Sequence, residues 1–163
     1  EALSGISGTR ALDLYAGAGL FAAGLAESFD EVTLVESDTL SLEAARENVN
    51  ARKARFVPTE VEEWIRAESA RSRRGAAAPI DWIVADPPRS GLSPSTRTWL
   101  KNAAVGGMSY ISCNHATMAR DLGDLCSSGW KIDSLTVFDF YPQTGHIEAL
   151  ARLSPPKAPK TGG

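Results

Sequence analysis

The sequence predicts an α/β fold built on a mostly parallel, seven-stranded sheet that an antiparallel C-terminal hairpin closes. Three observations carry this. Apolar, β-rich runs alternate with helix-patterned segments through most of the 163 residues. A glycine-rich turn follows the first run and opens a helix. The chain then ends on two consecutive strand-like runs with no helix between them, which is how a hairpin reads.

The first strand is expected at residues 10–15 (RALDLY), then the glycine-rich turn and a helix at 20–28. The second strand is 31–36 (EVTLVE), after which Asp38 or Ser37 caps a helix over 39–51 with apolar spacing through Leu42, Ala45 and Val49. A short third strand at 55–57 precedes a helix at 61–72, which runs into the loop RSRRGAAAP. The fourth strand, 81–85 (DWIVA), ends in DPPRSG, and Pro94 suits the start of a helix reaching 102. The fifth strand, 108–112 (MSYIS), leads into a helix at 116–127 that Gly129 stops. The last two strands are 131–138 and 147–153, leaving one domain over 1–153 and a tail at 154–163, SPPKAPKTGG, that reads as disordered.

Composition bounds the function. The hydrophobic fraction of 43% supports an ordinary core, and the start has neither the basic nor the apolar region of a signal peptide. No run has the length a membrane helix needs. Two cysteines, Cys113 and Cys126, are too few for a disulfide framework, so a reduced, cytoplasmic setting is expected. His115 and His146 with these thiols match no zinc spacing, and no metal is expected. A net charge of −3 argues against a domain that grips nucleic acid with its whole surface, although a partner domain can carry phosphate contacts while this one reads a single base. The basic stretches, Arg52, Lys53 and Arg55, then Arg71, Arg73 and Arg74, read more simply as solvated helix ends and loops. No exposed apolar stripe stands out, so a monomer is the expectation.

Open sheets of this kind bind ligands at the carboxyl ends of their strands, so chemistry is sought there. After the first strand stand Asp13, Tyr15, Gly17 and Gly19. The glycines let the backbone turn sharply, and the following helix aims its N-terminal amides at a ligand. The same glycine pattern also fits a dinucleotide site, but a carboxylate at Asp13 would repel a pyrophosphate. It suits S-adenosylmethionine, which carries an ammonium and a sulfonium. Glu36 ends the second strand, where an acid accepts ribose hydroxyls, and Glu60 follows the third, placed for an adenine amino group. Asp86 and Arg89 lie in the rigid Pro-Pro segment after the fourth strand. Cys113 ends the fifth strand just before a helix, where amide dipoles favour a thiolate, yet a cysteine in an apolar strand is more often a plain core thiol. Cys126 fits that core role. His146 and Glu148 alternate with Ile147 at the start of the last strand, as acid–base groups or as polar residues facing solvent.

Taken in order, DLYAGAGLF, DPPRSGL, ISCN and PQTGHIE resemble the RNA (uracil-5-)-methyltransferases, over about residues 9–153. The resemblance implies a Rossmann-like class I S-adenosylmethionine-dependent methyltransferase fold and a tRNA or rRNA substrate. It implies Cys113 as nucleophile and Glu148 as the base that removes the C5 proton. It also implies Asp86 near the target base with Arg89 supporting it, and Gly17, Glu36 and the neighbourhood of Glu60 as the cofactor site. Ala16 stands where the family usually has cysteine, His115 where it has proline, and Glu60 where an aspartate is common. The family's upstream Phe-x-Gln segment and RNA-binding barrel are not in this sequence, which reads as a C-terminal portion of a longer protein. The competing readings are a nicotinamide-dependent oxidoreductase, a base-amino methyltransferase that would not need Cys113 and Glu148, and a cofactor-binding module inactive by itself.

Overall fold

The computed structural model describes residues 1–49, 52–139 and 147–156. The elements follow in chain order: β1 Gly8–Leu14, α1 Leu20–Ser28, β2 Phe29–Glu36, α2 Thr39–Asn48, β3 Ala54–Pro58 and α3 Val61–Arg73. Then come β4 Trp82–Ala85, α4 Pro94–Asn102, β5 Met108–Ser112, α5 His115–Ser127, β6 Lys131–Phe138 and β7 Glu148–Ser154. They form one sheet in the order β3-β2-β1-β4-β5-β7-β6. The β1–β2, β2–β3, β1–β4 and β4–β5 pairs are parallel, whereas β7 runs antiparallel to both β5 and β6.

Side-chain alternation along the strands explains how both faces are covered. On β1, Leu12 and Leu14 join a core with Val61, Trp64 and Ile65 of α3, Trp99 and Leu100 of α4, and Leu122 and Leu125 of α5. Ala11 turns the other way, toward Ala22, Leu25 and Ala26 of α1 and Leu42 and Ala45 of α2. Asp13 shares that second face by the same alternation, so a carboxylate is carried beneath α1. Fully burying side chains such as Leu12, Leu14 and Phe29 contributes roughly 1.5–3 kcal/mol each, which holds the sheet ends in place for the chemistry above them.

Local signals set the helix ends. The Asp38 carboxylate accepts hydrogen bonds from the amides of Leu40 and Ser41, and the Ser93 hydroxyl accepts one from Thr96, with Pro94 in the first turn. The expected helix over 39–51 instead closes at Asn48, because Val49 adopts an extended conformation (φ −112°) and packs into the core beside α1. Lys53, read in the sequence as a solvated charge, donates to the carbonyls of Ala26 and Phe29 at 3.0 Å and so satisfies the end of α1. Outer strand β6 presents Leu135 and Val137 to solvent. That is an exposed apolar edge, which the sequence reading did not anticipate.

Candidate active site

The strand order reverses between β1 and β4, and the crevice at their carboxyl ends is where an open sheet of this type holds a ligand. Asp13, Tyr15, Gly17 and Gly19 enter it from β1, Glu36 from β2 and Asp86 from β4. The Gly17 amide donates to Glu36 Oε2 at 2.9 Å, and the Asp38 amide donates to Glu36 Oε1 at 2.7 Å. One carboxylate thereby fixes the glycine-rich turn against the end of β2. Gly19 (φ +81°) is the N-cap of α1, and a Cβ there would meet Val49 Cγ2 at 2.9 Å, so only glycine lets α1 start this close to α2. Tyr15 is the one non-glycine residue with positive φ (+62°) among the described residues. Its phenol lies beside the Thr96 hydroxyl, and burial pushes its pKa up to about 12. Tyr15 therefore shapes the turn through its backbone, while its ring packs against the core.

Asp13 is wholly buried, and neither of its oxygens has a hydrogen-bond partner. Burial raises its pKa to about 8. The nearby Ala22 amide, outside hydrogen-bonding geometry, offsets this in part, and the charges of Asp86 and Glu36 add to it. Asp86, at the exposed mouth of the crevice, is raised by desolvation and by the charge of Glu148. Asp13 thus feels Asp86 and Glu36, Asp86 feels Glu148, and the buried Asp13 is left unsatisfied. An anion such as pyrophosphate would be repelled here. A ligand bearing an ammonium and a sulfonium supplies the missing positive charge. The residues present fit S-adenosylmethionine, whose cationic end would lie toward Asp13 and the turn at Gly17 and whose ribose would meet Glu36. Glu60 precedes α3 as an exposed residue with no capping hydrogen bond, on the same edge of the crevice as Glu36.

The second half of the site lies over β5 and β7. Their register runs from Met108↔Leu153 to Ser112↔Ala149, and Cys113 and Glu148 are the residues next to that last pair on the two chains. Both residues are half-buried. Cys113 directly precedes Asn114, the N-cap of α5, whose carbonyl-type Oδ1 accepts from the amides of Ala116 and Thr117. His146 lies outside the described residues. Cys126 is half-buried on α5 rather than fully in the core. Asp86 and Arg89 follow β4 in the segment 86–91, which the first turns of α5 grip. The Asn114 amide donates to the Arg89 carbonyl at 3.0 Å, as does the Thr117 hydroxyl at 3.1 Å, and the Arg120 guanidinium donates to the Ser90 carbonyl at 2.9 Å.

Sequence reasoning missed Asp121. Its fully buried carboxylate accepts from the Leu92 amide at 2.7 Å, the Tyr110 hydroxyl at 2.8 Å and the Arg97 guanidinium at 3.0 Å. It therefore joins α5, β5, α4 and the end of the 86–91 segment. The signal was present: Asp121 sits within the stripe Met118, Leu122, Leu125 that α5 buries, and a charge on an apolar helical face must find partners.

Among the described residues, no three or more metal-ligating side chains converge, and no helix is long and apolar enough to cross a membrane. The fold is that of the Rossmann-like S-adenosylmethionine-dependent methyltransferases. The profile of the tRNA (uracil-5-)-methyltransferase family matches residues 2–154, and the chain belongs to that family. It is 38% identical to an uncharacterized RNA methyltransferase of Streptomyces coelicolor, over 91% of this chain and 32% of the relative. It is 33% identical to the tRNA (uracil(54)-C(5))-methyltransferase of Pyrococcus abyssi, over 91% of this chain and 34% of that enzyme. The crystal structure of the Pyrococcus abyssi tRNA (uracil-54, C5)-methyltransferase in complex with S-adenosyl-L-homocysteine superposes with a TM-score of 0.71 at 29% identity, covering 91% of this chain and 35% of that one. The N-methyltransferase NodS of Bradyrhizobium japonicum, at 17% identity and a TM-score of 0.72 over 96% of this chain and 90% of its own, shares the fold alone. The chain spans about a third of the length of the RNA methyltransferases it matches.

Proposed function

We propose that residues 1–153 are the catalytic unit of an RNA (uracil-5-)-methyltransferase, which transfers a methyl group from S-adenosylmethionine to C5 of a uridine in structured RNA through a covalent cysteine–uracil adduct. The observation that carries the reading is the β5–β7 pairing, which ends at Ser112↔Ala149, so that the next residues, Cys113 and Glu148, leave the two strands at the same end of the sheet. The match to the family profile over residues 2–154 supports it, as does the likeness to an enzyme that acts at uracil-54 of tRNA.

The chemistry assigns each group a task. Uracil C5 is a poor nucleophile until Cys113 Sγ adds to C6, which moves an electron pair onto the ring as an enolate. Arg89, after β4, is assigned to the developing enolate oxygen, which a guanidinium would steady. When bound, the cofactor supplies an electrophilic methyl group on a sulfonium. C5 takes that methyl with its electron pair to form the new carbon–carbon bond, and the carbon–sulfur bond that breaks would leave a neutral thioether. Glu148 then takes the C5 proton, the ring electrons expel Cys113 as thiolate, and the base is released as 5-methyluracil. Asp13, Glu36 and Glu60 hold the cofactor's cationic end, ribose and adenine respectively, and Asp86 meets the polar edge of the target base. The base must leave its stack to reach Cys113, which costs a few kcal/mol and is least in a loop. With a net charge of −3, this unit relies on other parts of the protein for most phosphate contacts. The two free thiols suit a reducing, cytoplasmic setting.

The test is Cys113→Ala in the full-length protein, with unmodified tRNA and large-subunit rRNA transcripts and radiolabelled methyl donor. Methylation is lost while S-adenosylhomocysteine binding, read by calorimetry, is retained. Methylation that survives the substitution overturns the covalent mechanism.

A further inference from the structure

Asn114 lies between the two halves of the catalytic apparatus, next in sequence to Cys113 and in hydrogen-bond contact with the backbone of Arg89. Its side-chain oxygen is committed, since it accepts from the Ala116 amide at 3.1 Å and the Thr117 amide at 3.3 Å. With that oxygen turned into the helix, the NH2 group must point away, and it is aimed at the Arg89 carbonyl. The Thr117 hydroxyl approaches the same carbonyl. The backbone of Asn114 is tied in as well: its amide donates to Ser112 Oγ at 3.0 Å. One side chain therefore caps α5, follows the nucleophile without a gap and holds the segment that carries Asp86 and Arg89.

We infer that Asn114 is a positioning residue for the methyl transfer: it clasps the 86–91 segment to the Cys113 turn and so sets the distance between the nucleophile and the Asp86–Arg89 edge. The inference rests on the uracil-methyltransferase reading for its effect on rate, but not for the clasp itself. Capping alone does not require asparagine, because Asp and Ser cap about as well. Only asparagine among these offers an oxygen to the helix and an N–H to the Arg89 carbonyl at once.

That difference separates the clasp from helix stability. Asn114→Asp keeps the cap and replaces the donor with a carboxylate oxygen facing a carbonyl. Asn114→Ser keeps a capping oxygen, adds no charge and lacks the amide protons. In both variants the thermal midpoint and S-adenosylhomocysteine affinity are expected to stay at wild-type values. Amide hydrogen exchange at Arg89, Ser90 and Gly91 is expected to rise by about tenfold or more. Formation of the cysteine–RNA adduct on unmodified tRNA and rRNA transcripts is expected to slow on the order of tenfold to a hundredfold, as a displaced reacting group does.

Unchanged exchange in the 86–91 segment of both variants overturns the clasp. Raised exchange with a wild-type adduct rate overturns its part in positioning. A rate loss in Asn114→Asp that Asn114→Ser does not share assigns the effect to the new charge beside Cys113 and also overturns the proposal. A wild-type protein that forms neither adduct nor methylated uridine on any transcript overturns the uracil-methyltransferase reading, and the exchange comparison still decides whether the clasp exists.

Discussion

The Tyr110 hydroxyl donates to the Asp121 carboxylate at 2.8 Å, and both side chains are wholly buried, one on β5 and the other on α5. The same carboxylate receives Arg97 from α4 and the Leu92 amide at the end of the 86–91 segment. Burial and the neighbouring carboxylate push the Tyr110 pKa upward, so the phenol remains a donor at any working pH. Asp121→Ala leaves the Tyr110 hydroxyl and the Leu92 amide without their buried acceptor, while Arg97 keeps Asp124, and is expected to destabilise the fold by about 3–5 kcal/mol. Tyr110→Phe removes one bond to a charged acceptor and is expected to cost about 1.5–3 kcal/mol. Urea denaturation of the two variants checks the ranking.

Gly91 makes a related point about the same segment. It has φ +75°, and a Cβ there would stand 2.5 Å from Asp121 Oδ2. Gly91→Ala is expected to lose more than the roughly 1–2 kcal/mol of a left-handed alanine, because the hub must also shift. Thermal unfolding measures the loss. A silent substitution would show that the hub is more yielding than its bonds imply.

Asp13 gives a pH signature. It is an acid whose folded pKa is raised, from 3.8 to about 8, so the folded protein binds more protons than the unfolded chain between those values. Its contribution therefore makes stability fall as pH rises through that window. Asp13→Asn should flatten the pH dependence there while weakening the hold on a cationic ligand. By linkage, binding of S-adenosylhomocysteine, which keeps its ammonium, favours the ionised form and releases up to one proton near pH 7. Calorimetry in buffers of different ionisation enthalpy reads that proton directly, and heats independent of buffer would argue against Asp13 as the group facing the ammonium.

Glu36 ties the Gly17 amide to the end of β2. Glu36→Ala removes that tie together with the ribose acceptor and is expected to weaken S-adenosylhomocysteine binding by about tenfold or more and to lower the thermal midpoint, because two backbone amides lose their acceptor. An unchanged affinity would place the ribose elsewhere.

The order of the elements was legible because the strands are apolar runs of the right length and the turns carry glycine and proline. The DLYAGAG and DPPRSG segments announced the two walls of the crevice. Less legible were features that only tertiary packing creates. The end of α2 at Asn48 follows from Val49 turning into the core, and nothing local stops a helix there. Lys53 reads as a surface charge until the end of α1 arrives beside it. Asp121 reads as one more polar residue in a charged helix unless its place among Met118, Leu122 and Leu125 is noticed. Asn114 stood inside the quoted ISCN string, but its tie to Arg89 joins residues 25 positions apart and has no local signature.

The central claim is that Glu148 acts as the base on an adduct that Cys113 forms. Glu148→Gln keeps the shape of the side chain and removes its basicity, so addition and methyl transfer proceed while release of the thiolate stalls. Incubated with unmodified transcripts and S-adenosylmethionine, the full-length Glu148→Gln protein is expected to accumulate a cysteine–RNA adduct that survives a denaturing gel and disappears in the Cys113→Ala, Glu148→Gln double variant. Free RNA with no adduct, or 5-methyluridine formed at the wild-type rate, would contradict it.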